Sequence, residues 1–245
     1  MATTGKRLLN RLYAQTVARA PLTSADLAAL GVSADLAVHY VRAGWLKRLA
    51  RGVFVRTGEE PELHPSLRLL ERMIPGFHVG GKTSLNWYGV RHYVAQQELL
   101  HLYGSVAVKL PEWFTERFPA EYHRKRLFSE PPERPLHITP LEGRDSGPQV
   151  STPERAMLEL LCEIGVLQPL QEAKEILESA YSLRADVLRE LLKRCTSVKT
   201  VRLCLQLGSD SSLPWAQKLN PTELPTGSAR PWVARSADGL LVLKP

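Results

Sequence analysis

The sequence lacks the defining features of several protein classes. No apolar run among its 245 residues approaches the roughly 18 residues that a membrane-spanning helix needs, so we expect no membrane partner. The first residues, MATTGKRLLNRL, lack the apolar core of a secretion signal, which favours a bacterial-type cytoplasmic protein. Hydrophobic residues make up 44% and charged residues 23% of the chain, a composition that excludes disorder.

Cysteine and histidine are too scattered to indicate a disulfide framework or a metal site. The three cysteines, Cys162, Cys195 and Cys204, have no C-x-x-C spacing and lie among apolar residues, so we expect buried free thiols. The seven histidines, His101 and His123 among them, occur singly and without the spacing that places two ligands on one helical face. We therefore predict no metal ion and no cofactor.

Positive charge is concentrated near the N-terminus. Residues 1–60 contain nine Lys and Arg against four Asp and Glu, which accounts for +5 of the chain's net charge of +7. Residues 42–56 contain five basic side chains and no acidic one. A local field of one sign favours a polyanionic partner such as nucleic acid, and the alternative is an ordinary solvated surface.

Apolar spacing in the first part of the chain predicts three helices. Residues 6–19 carry apolar side chains three and four positions apart, as in an amphipathic helix. A second helix begins after Thr23 or Ser24 and stops at a glycine, and Ser33 caps a third helix over about 34–43. Two short helices joined by a tight glycine turn form a helix-turn-helix.

The segment after the third helix, WLKRLARGVFVR, predicts a β-hairpin with strands over about 45–49 and 53–56. A hairpin in this place is a wing. In a winged helix-turn-helix the third helix enters the major groove, while the basic wing meets phosphates or the minor groove. Strand alternation directs one of the two basic residues on the first wing strand outward. We expect the DNA contacts to come from Ser33, Asp35, His39, Arg42, Lys47, Arg48 and Arg51.

The stretch PGFHVGGKTS contains a match to a phosphate-binding loop. Gly76, Gly81, Lys82 and Thr83 complete the pattern G-x-x-x-x-G-K-[ST]. Such a loop needs a strand before its first glycine, whereas LHPSLRLLERMIP has the apolar spacing of an amphipathic helix. We interpret the match as accidental, and a nucleotide-binding or nucleotide-hydrolysing enzyme that uses residues 76–83 is the alternative function. We recognise no catalytic Ser–His–Asp or Cys–His set and expect no enzyme.

The remaining sequence predicts a mixed α/β domain that ends in a helical layer. LLHLYG, SVAVKLP, HRKRLF and LHITPLEG have the patterns of strands. Ser151 and Glu154 have the spacing of a capping box, which starts a helix that three more amphipathic helices and a closing hairpin follow. The fold class is thus α+β, with a winged helix-turn-helix over 1–58 and a second domain over 59–245 that has an articulation near 143–150.

Several of these segments together resemble one known family. They are GWLKRLARGVFVR, HVGGKTSLNWYGVRHYV, VSTPERAMLELL, VKTVRLCLQL and LPWAQKLN. The chain resembles, over nearly its whole length, the AbiE-type antitoxins, which are transcriptional regulators of type IV toxin–antitoxin and abortive-infection modules. The most specific segments are the helix at 81–89 and the S-x-P-E-R-A-x-L-E-L-L segment at 151–161.

The resemblance implies a function for each domain. The N-terminal domain would bind inverted repeats in the double-stranded DNA of its own promoter and repress the operon. The second domain would counteract a nucleotidyltransferase toxin encoded alongside, either by sequestration or by catalysis on the toxin or its products. Gly81 and Lys82 would form a structural helix entry. Recognition of inverted repeats requires two winged helices, from a weak dimer or from two monomers that meet on DNA.

Overall fold

The computed structural model of the chain describes residues 2–90, 99–131, 135–141, 147–236 and 239–243. Contacts between residues divide the chain into two units: unit 1 comprises 1–73 and 109–118, and unit 2 comprises 74–108 and 119–245. Both units contain helices and strands, so the α+β class is confirmed. Within the described ranges no helix has the length and apolar character required to cross a bilayer.

The helices and strands alternate irregularly along the chain. The first half contains α1 (Ala2–Gln15), β1 (Leu22–Thr23), α2 (Ser24–Ala29), α3 (Ala34–Arg42), β2 (Leu46–Ala50), β3 (Val53–Arg56), α4 (Leu63–Met73), β4 (His78–Val79), α5 (Gly81–Trp87), β5 (Leu100–Gly104), α6 (Glu112–Thr115) and β6 (Ala120–Arg124). The second half contains β7 (Ile138–Pro140), β8 (Gln149–Ser151), α7 (Pro153–Cys162), α8 (Leu170–Glu178), α9 (Ala185–Arg194), α10 (Val198–Asp210), β9 (Trp232–Ser236) and β10 (Gly239–Leu243).

Unit 1 contains the predicted winged helix. Its sheet has the order β1-β3-β2, with β3 antiparallel to both neighbours. The sequence predicted the three helices and the hairpin but missed β1, because two residues are too few to show strand alternation. Helices and sheet share one apolar core, formed by Leu12, Leu22, Leu27, Val32, Ala37, Tyr40, Leu46 and Phe54.

The helix-turn-helix of unit 1 is positioned by a capping box at the start of α2. The Thr23 hydroxyl accepts from the Asp26 amide at 3.1 Å, and the Asp26 carboxylate accepts from the Thr23 amide at 2.7 Å. Arg72 of α4 forms an ion pair with the same carboxylate at 2.7 Å. These contacts connect α2 to α4 within unit 1.

Unit 2 is built on a mixed five-stranded sheet with the order β6-β5-β4-β8-β7. β5 pairs in parallel with β6, β4 pairs in parallel with β8, and the other pairings are antiparallel. The four predicted C-terminal helices are α7 to α10, and α7 is buried along almost its whole length. β9 and β10 form the predicted closing hairpin, although its expected turn residue Asp238 and residues 143–146 of the expected articulation lie outside the described ranges.

The cysteines lie in the helical layer of unit 2, as expected from their apolar neighbours. All three are free thiols; Cys195 and Cys204 are buried as expected, whereas Cys162 is only half-buried. Burial raises the pKa of Cys195 to about 11 and that of Cys204 to about 12. Both buried thiols are therefore protonated and unreactive at neutral pH.

Two expected strands are wrong. Residues 105–110, from the segment SVAVKLP, form no strand. The Val106 carbonyl accepts from the Tyr122 hydroxyl at 2.8 Å, so a side chain replaces a neighbouring strand as its partner. The strand expected over HRKRLF begins earlier and ends at Arg124. Its partner β5 ends at Gly104, opposite Arg124, so the pairing stops there.

The expected capping box at the start of α7 is also wrong. Thr152, not Ser151, occupies the N-cap position, and it makes no side-chain cap bond. Ser151 belongs to β8 and its hydroxyl donates to Glu159 at 2.9 Å. Glu154 instead accepts from the Arg184 guanidinium at 2.9 Å. Both polar residues form long-range contacts that local spacing cannot predict.

Candidate nucleic-acid interface

Local hydrogen bonds determine where α3 begins and ends. The Ser33 hydroxyl accepts from the Leu36 amide at 3.3 Å, so Ser33 is the N-cap, as predicted. Gly44 has a φ of 75°, a conformation that favours glycine, and the chain then turns so that the Trp45 amide donates to the Tyr40 carbonyl at 2.9 Å. The buried side chains Ala37 and Tyr40 direct the opposite face of α3 into solvent.

The solvent-facing side of α3 carries a continuous stripe of side chains. Asp35, His39 and Arg42, all predicted contacts, are exposed. Val38 lies between them at helical spacing and is 46% exposed, although it was absent from the predicted contacts. An apolar side chain on a helix that enters the major groove can contact a thymine methyl group. The sequence feature that could have identified Val38 is an apolar residue on an otherwise polar helix face.

The wing presents its basic residues on an edge strand. Lys47 and Arg48 of β2, an edge strand of the three-stranded sheet, are both exposed, where alternation alone predicts one. Arg51 is exposed at the turn. Gly52 follows with a φ of 76°, and its carbonyl accepts from the Ser24 amide at 2.9 Å. The tip of the wing is thereby tied to the start of α2.

The basic residues of the interface differ in their pairing. Lys47 forms an ion pair with Glu60 at 3.0 Å, and both side chains remain more than half exposed. Arg48 donates to the backbone carbonyl of Ala50 at 3.2 Å. In the part of the chain that the structure describes, no carboxylate forms a salt bridge with Arg42, Arg48 or Arg51. These three cations are available to neutralise phosphates.

Arg56, the fifth basic residue in the positive segment, has a structural position. Its side chain is buried, and its guanidinium donates to the Tyr13 carbonyl at 2.9 Å and to the Thr16 hydroxyl at 2.6 Å. The guanidinium also lies over the Tyr13 ring, 4.8 Å from its centroid. Arg56 therefore joins β3 to α1 and is unavailable to DNA.

The structure around residues 76–83 supports the interpretation that the phosphate-loop match is accidental. α4 precedes Gly76 where the loop mechanism needs a strand. The Gly81 amide, at the start of α5, donates to the Glu159 carboxylate at 3.0 Å. Lys82 forms an ion pair with Glu172 of α8. Two protein carboxylates thus occupy the donors that would bind a phosphate.

Glu159 is the centre of a buried polar network. Its carboxylate also accepts from Ser151 and Arg155, each at 2.9 Å, and contacts His78 Nε2 at 3.1 Å. Burial raises the pKa of this carboxyl group, but the nearby charges and hydrogen bonds of His78, Arg155 and Gly81 outweigh burial and lower the pKa to about 2. Glu159 is therefore ionised in the folded protein at neutral pH.

The lowered pKa of Glu159 predicts acid-sensitive stability. The contribution of its ionised form is fully present above the ordinary pKa of 4.5 and is lost as the pH falls towards the folded-state pKa of about 2. We expect the free energy of unfolding to fall across this window, and to fall less steeply in Glu159→Gln, which does not titrate. Urea unfolding followed by circular dichroism at several pH values measures both slopes; equal slopes would contradict the prediction.

Comparisons with known proteins identify the family of the chain. One family model, described as the N-terminal domain of the transcriptional regulator AbiEi antitoxin, matches residues 5–96. A second, described as "Transcriptional regulator, AbiEi antitoxin, Type IV TA system", matches residues 97–244. The chain belongs to the AbiEi antitoxin family. Its regulator and antitoxin class is thus confirmed, and no curated protein gave a significant match.

A solved structure has the same fold as this AbiEi family member. It is the crystal structure of the RV2827C protein from Mycobacterium tuberculosis, which is 16% identical in sequence. The similarity has a TM-score of 0.60 and covers 95% of this chain and 89% of that chain. At this level of identity the likeness establishes the architecture of the AbiEi chain and leaves its contacts to be argued from its own residues.

Proposed function

We propose that the protein represses transcription of its own operon by binding inverted repeats in the promoter through the winged helix of residues 1–58. The observation that carries this proposal is the exposed stripe of α3, with Arg42 at its end, together with the wing cations Arg48 and Arg51, which have no carboxylate partner among the described residues. Helix side chains would contact base edges, and wing cations would contact phosphates. Ser33, Asp35, His39 and Lys47 complete the proposed contact surface.

Residues 59–245 form the proposed antitoxin domain, which acts against a nucleotidyltransferase toxin encoded beside it. Membership of a family of type IV toxin–antitoxin regulators supports a toxin partner. The blocked phosphate donors at Gly81 and Lys82 support a role without nucleotide chemistry, and a cytoplasmic protein would meet both DNA and toxin. The protein would be a monomer or a weak dimer, with two copies meeting on the inverted repeats.

Binding to upstream DNA tests the repressor proposal directly. Fluorescence anisotropy would compare a duplex from the region upstream of the gene with a scrambled duplex of equal length, at several salt concentrations. We expect the upstream duplex to bind at least about 1,000-fold more tightly, the lower end of the range for specific regulators. Equal affinity for the two duplexes would contradict repression through a specific operator.

Ser33 offers a test that separates stability from DNA contact. Ser33→Asp retains a capping oxygen, so the free energy of unfolding should stay unchanged, whereas Ser33→Ala should lose about 1 kcal/mol. Because aspartate adds a negative charge at the proposed interface, Ser33→Asp should weaken operator binding more than Ser33→Ala does. Urea unfolding and anisotropy measure the two effects. Operator affinity equal to wild type in Ser33→Asp would place this residue outside the interface.

The two activities should be separable in the full chain. Co-expression with the neighbouring gene would measure growth rescue, and a promoter–reporter fusion would measure repression. A double variant with Arg48→Ala and Arg51→Ala should lose repression and retain growth rescue, because the substitutions lie in the winged helix. Loss of both activities in a folded variant would contradict the proposed division of function.

A further inference from the structure

Two histidines that the sequence treated as isolated lie together on the sheet of unit 2. β5 and β6 pair in parallel, with His101 opposite Glu121 and Tyr103 opposite His123. Because alternate residues of a strand project from the same face, His101, Glu121 and His123 share one face of the sheet. Their ligand atoms all lie within 4.8 Å of one another. Spacing along the sequence could not reveal this cluster, since its members come from two strands.

The separation of the two imidazoles suits a metal ion. His101 Nδ1 and His123 Nε2 are 3.3 Å apart and form a hydrogen bond. Two nitrogen ligands, each about 2.05 Å from a tetrahedral zinc ion, are themselves separated by about 3.3 Å. Rotation of both rings would turn the two lone pairs towards one ion, which would take the place of the proton that the nitrogens now share.

The charged residues around the cluster are paired with one another. The carboxylate of Glu163, near His123, forms an ion pair with Lys125 at 3.4 Å. The neighbouring cation Lys82 is offset by its ion pair with Glu172. His101 and Glu121 are half-buried, so an ion can enter from solvent.

We propose that His101, Glu121 and His123 bind a divalent transition-metal ion, with Zn²⁺ the preferred ion. Two imidazoles and one carboxylate form a ligand set that zinc uses in proteins, and the set leaves a fourth position for water or an anion. The ion would join β5 to β6 and stabilise the folded form of the chain, since no such preformed site exists in the unfolded chain. This site is independent of the proposed DNA contacts.

Titration of the full chain with Zn²⁺ tests the site. After treatment with a chelator, isothermal titration calorimetry should show one equivalent of Zn²⁺ bound, and the same ion should raise the melting temperature. Co²⁺ should give the visible absorption of a four-coordinate ion. Glu121→Gln and His101→Asn should each lower Zn²⁺ affinity by more than about tenfold, because each removes a direct ligand, and loss of a residue that only hydrogen-bonds to a ligand already costs 10–100-fold.

A matched variant controls for adventitious binding to histidine. His137→Asn removes an imidazole that contacts Glu190 at 3.0 Å, away from the cluster on β5 and β6. Asparagine tolerates the φ of 55° at this position. This control should bind Zn²⁺ as the wild type does. The proposal is overturned if the wild type binds no Zn²⁺, or if Glu121→Gln, shown by circular dichroism to be folded, binds as tightly as His137→Asn.

Discussion

Replacing Arg48 and Arg51 together by alanine is expected to weaken operator binding by about 100-fold, as each charge-assisted contact is worth about 1.5 kcal/mol or roughly tenfold. Both side chains are exposed on the wing and have no carboxylate partner among the described residues. The slope of log affinity against log salt should fall by about 2, because each phosphate contact contributes about 0.9. Fluorescence anisotropy over a range of salt concentrations measures both quantities.

The stability of this double variant should equal that of the wild type. The side-chain contact of Arg48 is a hydrogen bond to the Ala50 carbonyl, and surface substitutions of this kind change the free energy of unfolding by less than about 0.5 kcal/mol. Arg56→Ala, in contrast, should lower the free energy of unfolding, since the buried guanidinium of Arg56 joins β3 to α1. Urea unfolding of both variants distinguishes a DNA contact from a structural arginine.

Arg124 and Arg126 provide a control of equal charge. Both are exposed in unit 2, outside the proposed interface, and their replacement by alanine removes the same two positive charges from the chain. This second double variant should retain operator affinity within about threefold, because neither arginine belongs to the winged helix and salt screens exposed charges that make no direct contact. If it loses as much affinity as the wing variant, net charge and not the wing determines binding.

Replacing Glu159 by alanine is expected to destabilise the protein by about 3–5 kcal/mol, the usual cost of removing one partner of a buried ion pair. The substitution leaves the buried Arg155 with a single carboxylate partner, Glu130, and leaves the Gly81 amide and the Ser151 hydroxyl without their acceptor. An unsatisfied buried donor costs a further desolvation penalty. Urea unfolding monitored by circular dichroism measures the loss.

Glu178 is the matched control for this variant. It is an exposed glutamate at the end of α8, and Glu178→Ala should change the free energy of unfolding by less than about 0.5 kcal/mol. A loss in Glu159→Ala no larger than the loss in Glu178→Ala would show that the network contributes nothing to stability. Glu159→Gln should fall between the two, because it keeps the volume and loses the charge.

The segment that most specifically indicated the family has a structural explanation. In S-x-P-E-R-A-x-L-E-L-L, the polar residues Ser151, Glu154, Arg155 and Glu159 are all buried. Glu154 binds Arg184, and the other three belong to the network around Glu159. Each of these side chains has a specific partner inside unit 2. The motif therefore connects α7 both to the sheet and to the start of α9.

Sequence alone determined the features that depend on contacts within a few residues. The ends of α3 follow from the Ser33 cap and from Gly44, and the wing follows from two short strands around Gly52. The helix before Gly76 was predicted from apolar spacing, and this prediction correctly excluded a strand at that position. Local hydrogen bonds and the period of a helix or strand depend only on residues that are close in the sequence.

Tertiary structure alone decided the roles of residues whose partners are distant along the chain. His78 and Glu159 are 81 positions apart, and Arg56 reaches Thr16 across 40 positions. His101 and His123 become neighbours only because β5 and β6 pair in parallel. Such pairings cannot be predicted from composition and spacing, since strand register and the burial of charge depend on how the whole unit folds.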